Sequence, residues 1–201
     1  MHYYNRKSHA PLTQGASMLG VNRGAIHLAS EVSAGATTFA LQAARECIAE
    51  GGRVLWASEE MPDVNRFGQI FSSLSPHQSS LFHAMTIAGS MDDVVSQLID
   101  TAGFLPNVRL LIIDDWAPRS GKVEQSRKKE ISRLAKSCED CAILITSSMY
   151  SDASGEQEFK VRGGQLPEYE TWKLYKGEMS KRILLRNDEK FEFLLEDDGF
   201  S

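Results

Sequence analysis

The chain has 201 residues, 42% of them hydrophobic and 24% charged, with a formal net charge of −5 and a pI near 5.6. That length suits one core of ordinary size, and the acidic balance confines any nucleic-acid role to a local patch. No apolar run approaches the roughly 20 residues of a membrane span, and the polar, basic start from Met1 to Pro11 lacks the apolar stretch of a secretory signal.

A soluble, cytoplasmic, single-domain protein over residues 1–201 is therefore expected, with 1–20 as an N-terminal segment. Three cysteines cannot close a disulfide framework. Cys138 and Cys141 form a C-x-x-C, but no second pair or His cluster accompanies it, and it sits at a helix-to-strand junction. It reads as two partly buried thiols.

In chain order, Gly24 to Ser30 reads as a first buried strand. Thr37 to Glu50 is apolar at helical spacing, and Gly51-Gly52 ends that helix. Arg53 to Ser58 is a second strand, and Pro62 permits a helical first turn leading to Phe71. Phe82 to Ile87 reads as a third strand and Met91 to Ala102 as a helix. Val108 to Ile113 is continuously apolar, the character of a parallel strand covered on both faces.

Asp114 and Asp115 follow at that strand's carboxyl end. Helix Val123 to Cys138 and strand Ala142 to Thr146 come next. The polar, Gly-containing stretch 147–168 is expected as a long flexible loop. Tyr169 to Tyr175, Arg182 to Arg186 and Phe191 to Leu195 alternate and are separated by turn residues, so they read as antiparallel strands. The expected fold is α/β, a mostly parallel sheet flanked by helices with antiparallel C-terminal hairpins. Ligands of such sheets bind beyond the carboxyl ends of the strands, where Ser30 to Thr37, Glu59, Glu60, Asp114 and Thr146 fall.

Residues 30–37, Ser-Glu-Val-Ser-Ala-Gly-Ala-Thr, stand where a phosphate loop G-x-x-x-x-G-K-[ST] would lie. The first Gly is Ser30 and the Lys is Ala36, while Gly35 and Thr37 keep the pattern. With Arg53-Val54-Leu55-Trp56 before Glu60, Arg66 to Ile70, Leu110 to Asp114, Gly163-Gly164 and the closing Phe191 to Phe200, this order resembles the ATPase core of the RecA/RadA recombinase superfamily. Within it the chain looks most like RadB, the short archaeal RadA paralogue.

The resemblance implies a nucleotide site at Ser30, Ser33, Gly35, Ala36, Thr37 and Thr38. It implies a magnesium site at Thr37 and Asp114 and a water-activating carboxylate at Glu60. It also marks the departures. Ala36 supplies no charge, and removing one charge-assisted bond to a phosphate costs roughly 1.5–3 kcal/mol, about 10- to 150-fold in affinity. Ser147 and Ser148 replace the family's Asn-Gln pair, whose Gln reports the γ-phosphate. ATP and Mg²⁺ are thus implied by the family but weakened or lost, and the catalytic residues are vestigial. The residues themselves allow Glu59-Glu60 to be a solvated strand end instead.

The resemblance also implies DNA contacts, for which Arg127, Lys128 and Lys129 on one helix, Lys160 and Arg162 in the loop, and Lys181 and Arg182 near the hairpins are the candidates. Arg133, Lys136 and Arg186 extend the set. The helix cations also fit a solvated face, since Glu130, Glu139 and Asp140 lie among and after them. His27, Trp116 and Trp172 read as structural.

The expected function is a RadB-like paralogue that assists homologous recombination or DNA repair by binding a RadA-like recombinase, another RecA-fold paralogue or single-stranded DNA. The alternative is a KaiC-like pseudo-ATPase acting as a regulatory interaction module without DNA. A cation supplied from elsewhere, such as Lys122 or Lys160, has no support in the spacing.

Overall fold

The computed structural model describes residues 18–151 and 159–201. The basic segment His2 to Lys7 lies outside them. The first half alternates strand and helix: β1 (Ala25–Ser30), α1 (Ala36–Ala49), β2 (Arg53–Ser58), α2 (Val64–Phe71), α3 (Pro76–Ser79), β3 (Phe82–Thr86), α4 (Met91–Phe104), β4 (Val108–Asp114) and α5 (Gln125–Ser137). The second half is strand throughout: β5 (Ala142–Tyr150), β6 (Lys160–Val161), β7 (Glu170–Lys176), β8 (Lys181–Arg186), β9 (Glu189–Glu196) and β10 (Gly199–Phe200).

One sheet runs in the order β10-β9-β8-β7-β1-β5-β4-β2-β3. The strands from β7 to β3 are parallel, and β8, β9 and β10 are antiparallel. This is the expected architecture. Two apolar layers result. On one face α1 and α2 bury Phe39, Leu41, Ile48, Ile70 and Phe71 against Leu28, Trp56, Ile112, Trp172 and Leu174. On the other, α4 and α5 bury Val95, Leu98, Ile131 and Leu134 against Leu55, Leu111, Ile113 and Ile143. Each such side chain, fully buried, contributes about 1.5–3 kcal/mol of transfer free energy.

Three local expectations change. The strand predicted to end at Thr146 continues to Tyr150, because Ser147 and Ser148 pair in parallel with Ala29 and Ser30. Met149 and Tyr150 then pair antiparallel with Val161 and Lys160, so these four residues of the stretch 147–168 are strand. Residues 152–158 of that expected loop lie outside the described residues. Pro62 precedes the second helix instead of opening it: Asp63 is the N-cap, its carboxylate accepting from Arg66 N at 2.9 Å. The short α3 was not expected, although Ser75 and Gln78 form a capping box that marks its start.

Candidate nucleotide cleft

β1 brings Ser30 to the carboxyl edge of the sheet, and residues 31–35 turn the chain into α1. Ser33 and Gly35 have φ of 61° and 102°, and Gly35 is the helix N-cap with no side chain bonded to it. A Cβ at Gly35 would lie 3.0 Å from Leu195 Cδ2 and 3.4 Å from Phe200 Cζ. Glycine therefore lets the C-terminal hairpin brace the turn.

The loop is also held from β7 and β8. Glu31 N donates to the Leu174 carbonyl at 2.9 Å, and Lys176 N donates to Glu31 Oε2 at 2.9 Å. Arg182 Nε donates to the Ala34 carbonyl at 3.0 Å. Arg182, expected at DNA, is thus part of the loop's support.

β4 and β5 deliver the acidic centre. Thr146 Oγ1 donates to Asp114 Oδ1 at 2.6 Å, and Thr37 Oγ1 donates to Asp114 Oδ2 at 2.9 Å. Asp115 N in turn donates to Thr146 Oγ1 at 2.8 Å. Burial raises the Asp114 pKa, the two hydroxyl bonds oppose that rise, and Asp115 reinforces it. The sequence placed Thr37, Asp114 and Thr146 at neighbouring strand ends, and the fold brings them into contact.

Two openings of about 360 and 580 Å³ meet at this centre, sharing Thr37, Thr38, Asp114, Asp115 and Arg119. Ser30, Ser33, Gly35 and Ala36 line the smaller one. Glu59, Glu60, Asp63 and Arg66 line the larger. Five carboxylates thus face two guanidiniums, and both guanidiniums are engaged. Arg119 Nε is 3.0 Å from Asp115 Oδ2, and Arg66 Nη1 donates to the carbonyls of Glu196 and Asp197 at 3.0 and 2.8 Å.

Arg119 escaped the sequence reading. Its i, i+4 spacing from Asp115 was the available signal. Lys122 lines a separate opening beside α4 and α5.

The donor set fits a magnesium–triphosphate poorly. Thr37 and Asp114 are groups that take part in holding Mg²⁺, but they bond each other, and the two guanidiniums described in the cleft are engaged by Asp115 and by backbone carbonyls. Among the described residues no group of three or more His, Cys, Asp or Glu is placed to hold a metal.

The remaining expected DNA contacts do not share one surface. On α5, Arg127 bonds the Trp116 carbonyl and Glu59, Arg133 bonds Glu130 and Asp92, and Lys136 bonds Glu168. Lys129 on the same helix is exposed and Lys128 half-buried. Arg162 donates to the Gly121 carbonyl at 2.8 Å and lies 4.7 Å above the Tyr150 ring. Lys160 sits in β6 opposite Tyr150. Lys181 pairs with Glu192 at 2.6 Å. Arg186 is at the far end of the sheet, between the rings of Trp172 and Phe191.

His27, Trp116 and Trp172 are buried, as expected. Ser147 Oγ lies 2.7 Å from His27 Nε2 and also bonds the Arg162 carbonyl, so the first of the two serines in place of the Asn-Gln pair is tied to the hairpin. Burial lowers the His27 pKa to about 4. Gly163, with φ 86°, packs flat on Trp116, where a Cβ would come within 2.4 Å of the ring. Burial raises the Cys138 and Cys141 thiols, in keeping with inert cysteines. No described helix is long and apolar enough to cross a membrane.

Neither protein-family models nor curated protein sequences match the chain. Solved structures do. A crystal structure of the RadB recombinase superposes with a TM-score of 0.67 at 16% identity, covering 88% of this chain and 89% of that one. A DnaB-like replicative helicase, solved with its interactions with primase, gives a TM-score of 0.64 at 16% identity. That match covers 89% of this chain and 57% of the helicase chain. The chain therefore has the RecA-type fold that both of these proteins share.

Proposed function

We propose that the protein is a RadB-like accessory of homologous recombination or DNA repair, which contacts a recombinase or single-stranded DNA and does not depend on appreciable ATP hydrolysis. The observation that carries this reading is the cleft itself. It pairs Thr37 with Asp114 at 2.9 Å, as a nucleotide site of this fold would need, yet puts Ala36 where a cation is required and surrounds the opening with five carboxylates.

An ATP site works by presenting positive charge and backbone amides to the phosphates. This cleft retains a helix start and lacks the charge. Glu60 lies where a water-activating base belongs, but a base without a bound phosphate has nothing to act on. Titration calorimetry with Mg²⁺-ATP tests the reading: binding weaker than the millimolar range, or none, is expected, and micromolar binding would sink it.

A second reading, a KaiC-like regulatory module without DNA, is favoured by one observation. The cations of α5 are largely consumed by Glu59, Asp92, Glu130 and Glu168. Absence of any oligonucleotide binding at low salt would support it over the first.

A further inference from the structure

At the amino edge of the parallel strands, opposite the cleft, lies an opening of about 370 Å³ that the function proposed above does not use. It is bordered by Arg23 and Ile26 at the start of β1, by Glu170 and Trp172 of β7, and by Arg186 and Asn187 where β8 turns into β9. Its size falls within the roughly 300–1,000 Å³ of small-molecule sites.

Arg186 is held there from both faces. Its guanidinium carbon lies 5.0 Å from the centroid of the Trp172 ring and 4.8 Å from that of Phe191. Trp172 is buried in the α1 layer and Phe191 packs against that layer, so the core fixes both rings. The chain passes close on a third side: a Cβ at Gly20, where φ is 72°, would lie 2.5 Å from Arg186 Nη1. Rings hold a guanidinium by its faces and leave its N–H edge free to donate. Among the described residues no oxygen accepts from that edge. Arg66, Arg127, Arg133, Arg162 and Arg182 all end on carbonyls or carboxylates of this chain. Arg186 is placed by rings instead, and its hydrogen-bonding capacity is unspent.

The surrounding charge selects the kind of anion. Arg23 and Arg186 face one carboxylate, Glu170, whose Oε1 accepts from Trp172 Nε1 at 2.6 Å. Asp188 and Glu189 follow in the turn and do not line the opening. The lining therefore carries one net positive charge, which suits a monoanion. A phosphate dianion would meet repulsion from Glu170 that a single negative charge feels less.

We infer that this opening binds the carboxylate group of a small molecule. The planar fork of Arg186 matches two carboxylate oxygens with parallel N–H···O bonds, and its ring contacts set that fork before the ligand arrives. Arg23 and the Asn187 amide add donors at the rim. The site lies apart from the cleft and does not rest on the function proposed above.

The test follows the arginine Nε–H resonances of protein labelled with ¹⁵N-arginine while sodium acetate or sodium phosphate is added at constant ionic strength. The Arg186 signal is the one missing from Arg186→Lys. It is expected to shift saturably, at lower acetate than phosphate concentration, while the Arg127 and Arg182 signals stay in place. Arg186→Lys keeps the charge and loses the fork, so acetate binding measured by calorimetry should weaken at least about five-fold. Glu170→Gln, which keeps an oxygen for Trp172 Nε1, should tighten both anions and narrow the preference for acetate. Should Arg186→Lys fail to fold, as its melting curve would reveal, the Glu170→Gln comparison decides.

The absence of a saturable shift would overturn the site, as would equal shifts at the exposed Arg119. Phosphate saturating before acetate, or no response to Glu170→Gln, would overturn the assignment to a carboxylate monoanion. Saturation by a poly-glutamate peptide far below the acetate concentration would overturn the small-molecule ligand and mark a contact for acidic protein segments.

Discussion

The parallel and antiparallel halves of the sheet share a backbone hydrogen-bond network but are built to different ends. In β4, Leu111 and Ile113 meet helices on one face while Leu110 and Ile112 meet helices on the other, and all four are nearly inaccessible. In β8, Leu184 is buried while Ile183 and Leu185 stay half-exposed. The doubly covered half fixes the cleft: Asp114, Thr146 and Ser30 project from strand ends that cannot shift independently of two packed layers. The other half holds the phosphate-type loop from one side through Arg182, Leu195 and Phe200, and no described helix covers its other side. Rigidity and accessibility are thus divided between the two halves of one sheet.

The largest effect that separates them is a core truncation. Leu111→Ala should cost about 3–5 kcal/mol in urea unfolding, because a cavity opens between packed layers. The matching Leu185→Ala in the open half should cost under about 1 kcal/mol. Similar costs at the two positions would erase the distinction between the halves.

The next effect concerns the buried polar groups of the rigid half. His27 has a folded-state pKa of about 4, below its ordinary 6.5. The unfolded chain therefore takes up a proton first as pH falls. Stability from neutral His27 is complete above about pH 6.5 and is lost as pH drops toward 4, by about 3 kcal/mol in all. Chemical denaturation from pH 7 to 4 should show that loss in the wild type and a much smaller one in His27→Gln. Parallel curves for the two proteins would contradict the burial argument.

Asp114 works in the opposite direction. Its carboxyl group is held above the usual range by burial, so its contribution is greatest at low pH and declines as pH rises through its folded pKa. Asp114→Asn should therefore be more stable than wild type at neutral pH by roughly 1 kcal/mol, or about 2–4 °C in Tm, and should show less change with pH. A strongly destabilised variant would mean that the two threonine hydroxyl bonds outweigh desolvation.

Much of the fold was legible because its signals are local and repeated. The apolar run Val108 to Ile113, the helical spacing after Thr37 and the Gly51-Gly52 stop each name their element without help from the rest of the chain. The site was legible as far as strand ends could place it. What escaped depends on partners distant in sequence. Ser147 to Tyr150 looks like a loop by composition, yet it is strand because Ala29, Ser30, Lys160 and Val161 supply its hydrogen-bond partners. On the basic helix α5 the fold sets Asp92 and Glu168 beside Arg133 and Lys136, pairings that the sequence does not show. Arg182 looked like a surface cation, yet its guanidinium closes onto the Ala34 carbonyl. Side-chain charge can be read from sequence, but where it is spent cannot.

The cleft reading is tested most directly by steady-state ATP hydrolysis of the wild-type protein alongside Ala36→Lys/Ser30→Gly, with Mg²⁺-ATP affinity measured on both. Negligible turnover and feeble binding are expected for the wild type. Binding by the substituted protein should strengthen by about 10- to 150-fold as the missing cation is restored. Hydrolysis by the wild type at the rate of an intact recombinase would contradict a cleft without its phosphate-binding charge.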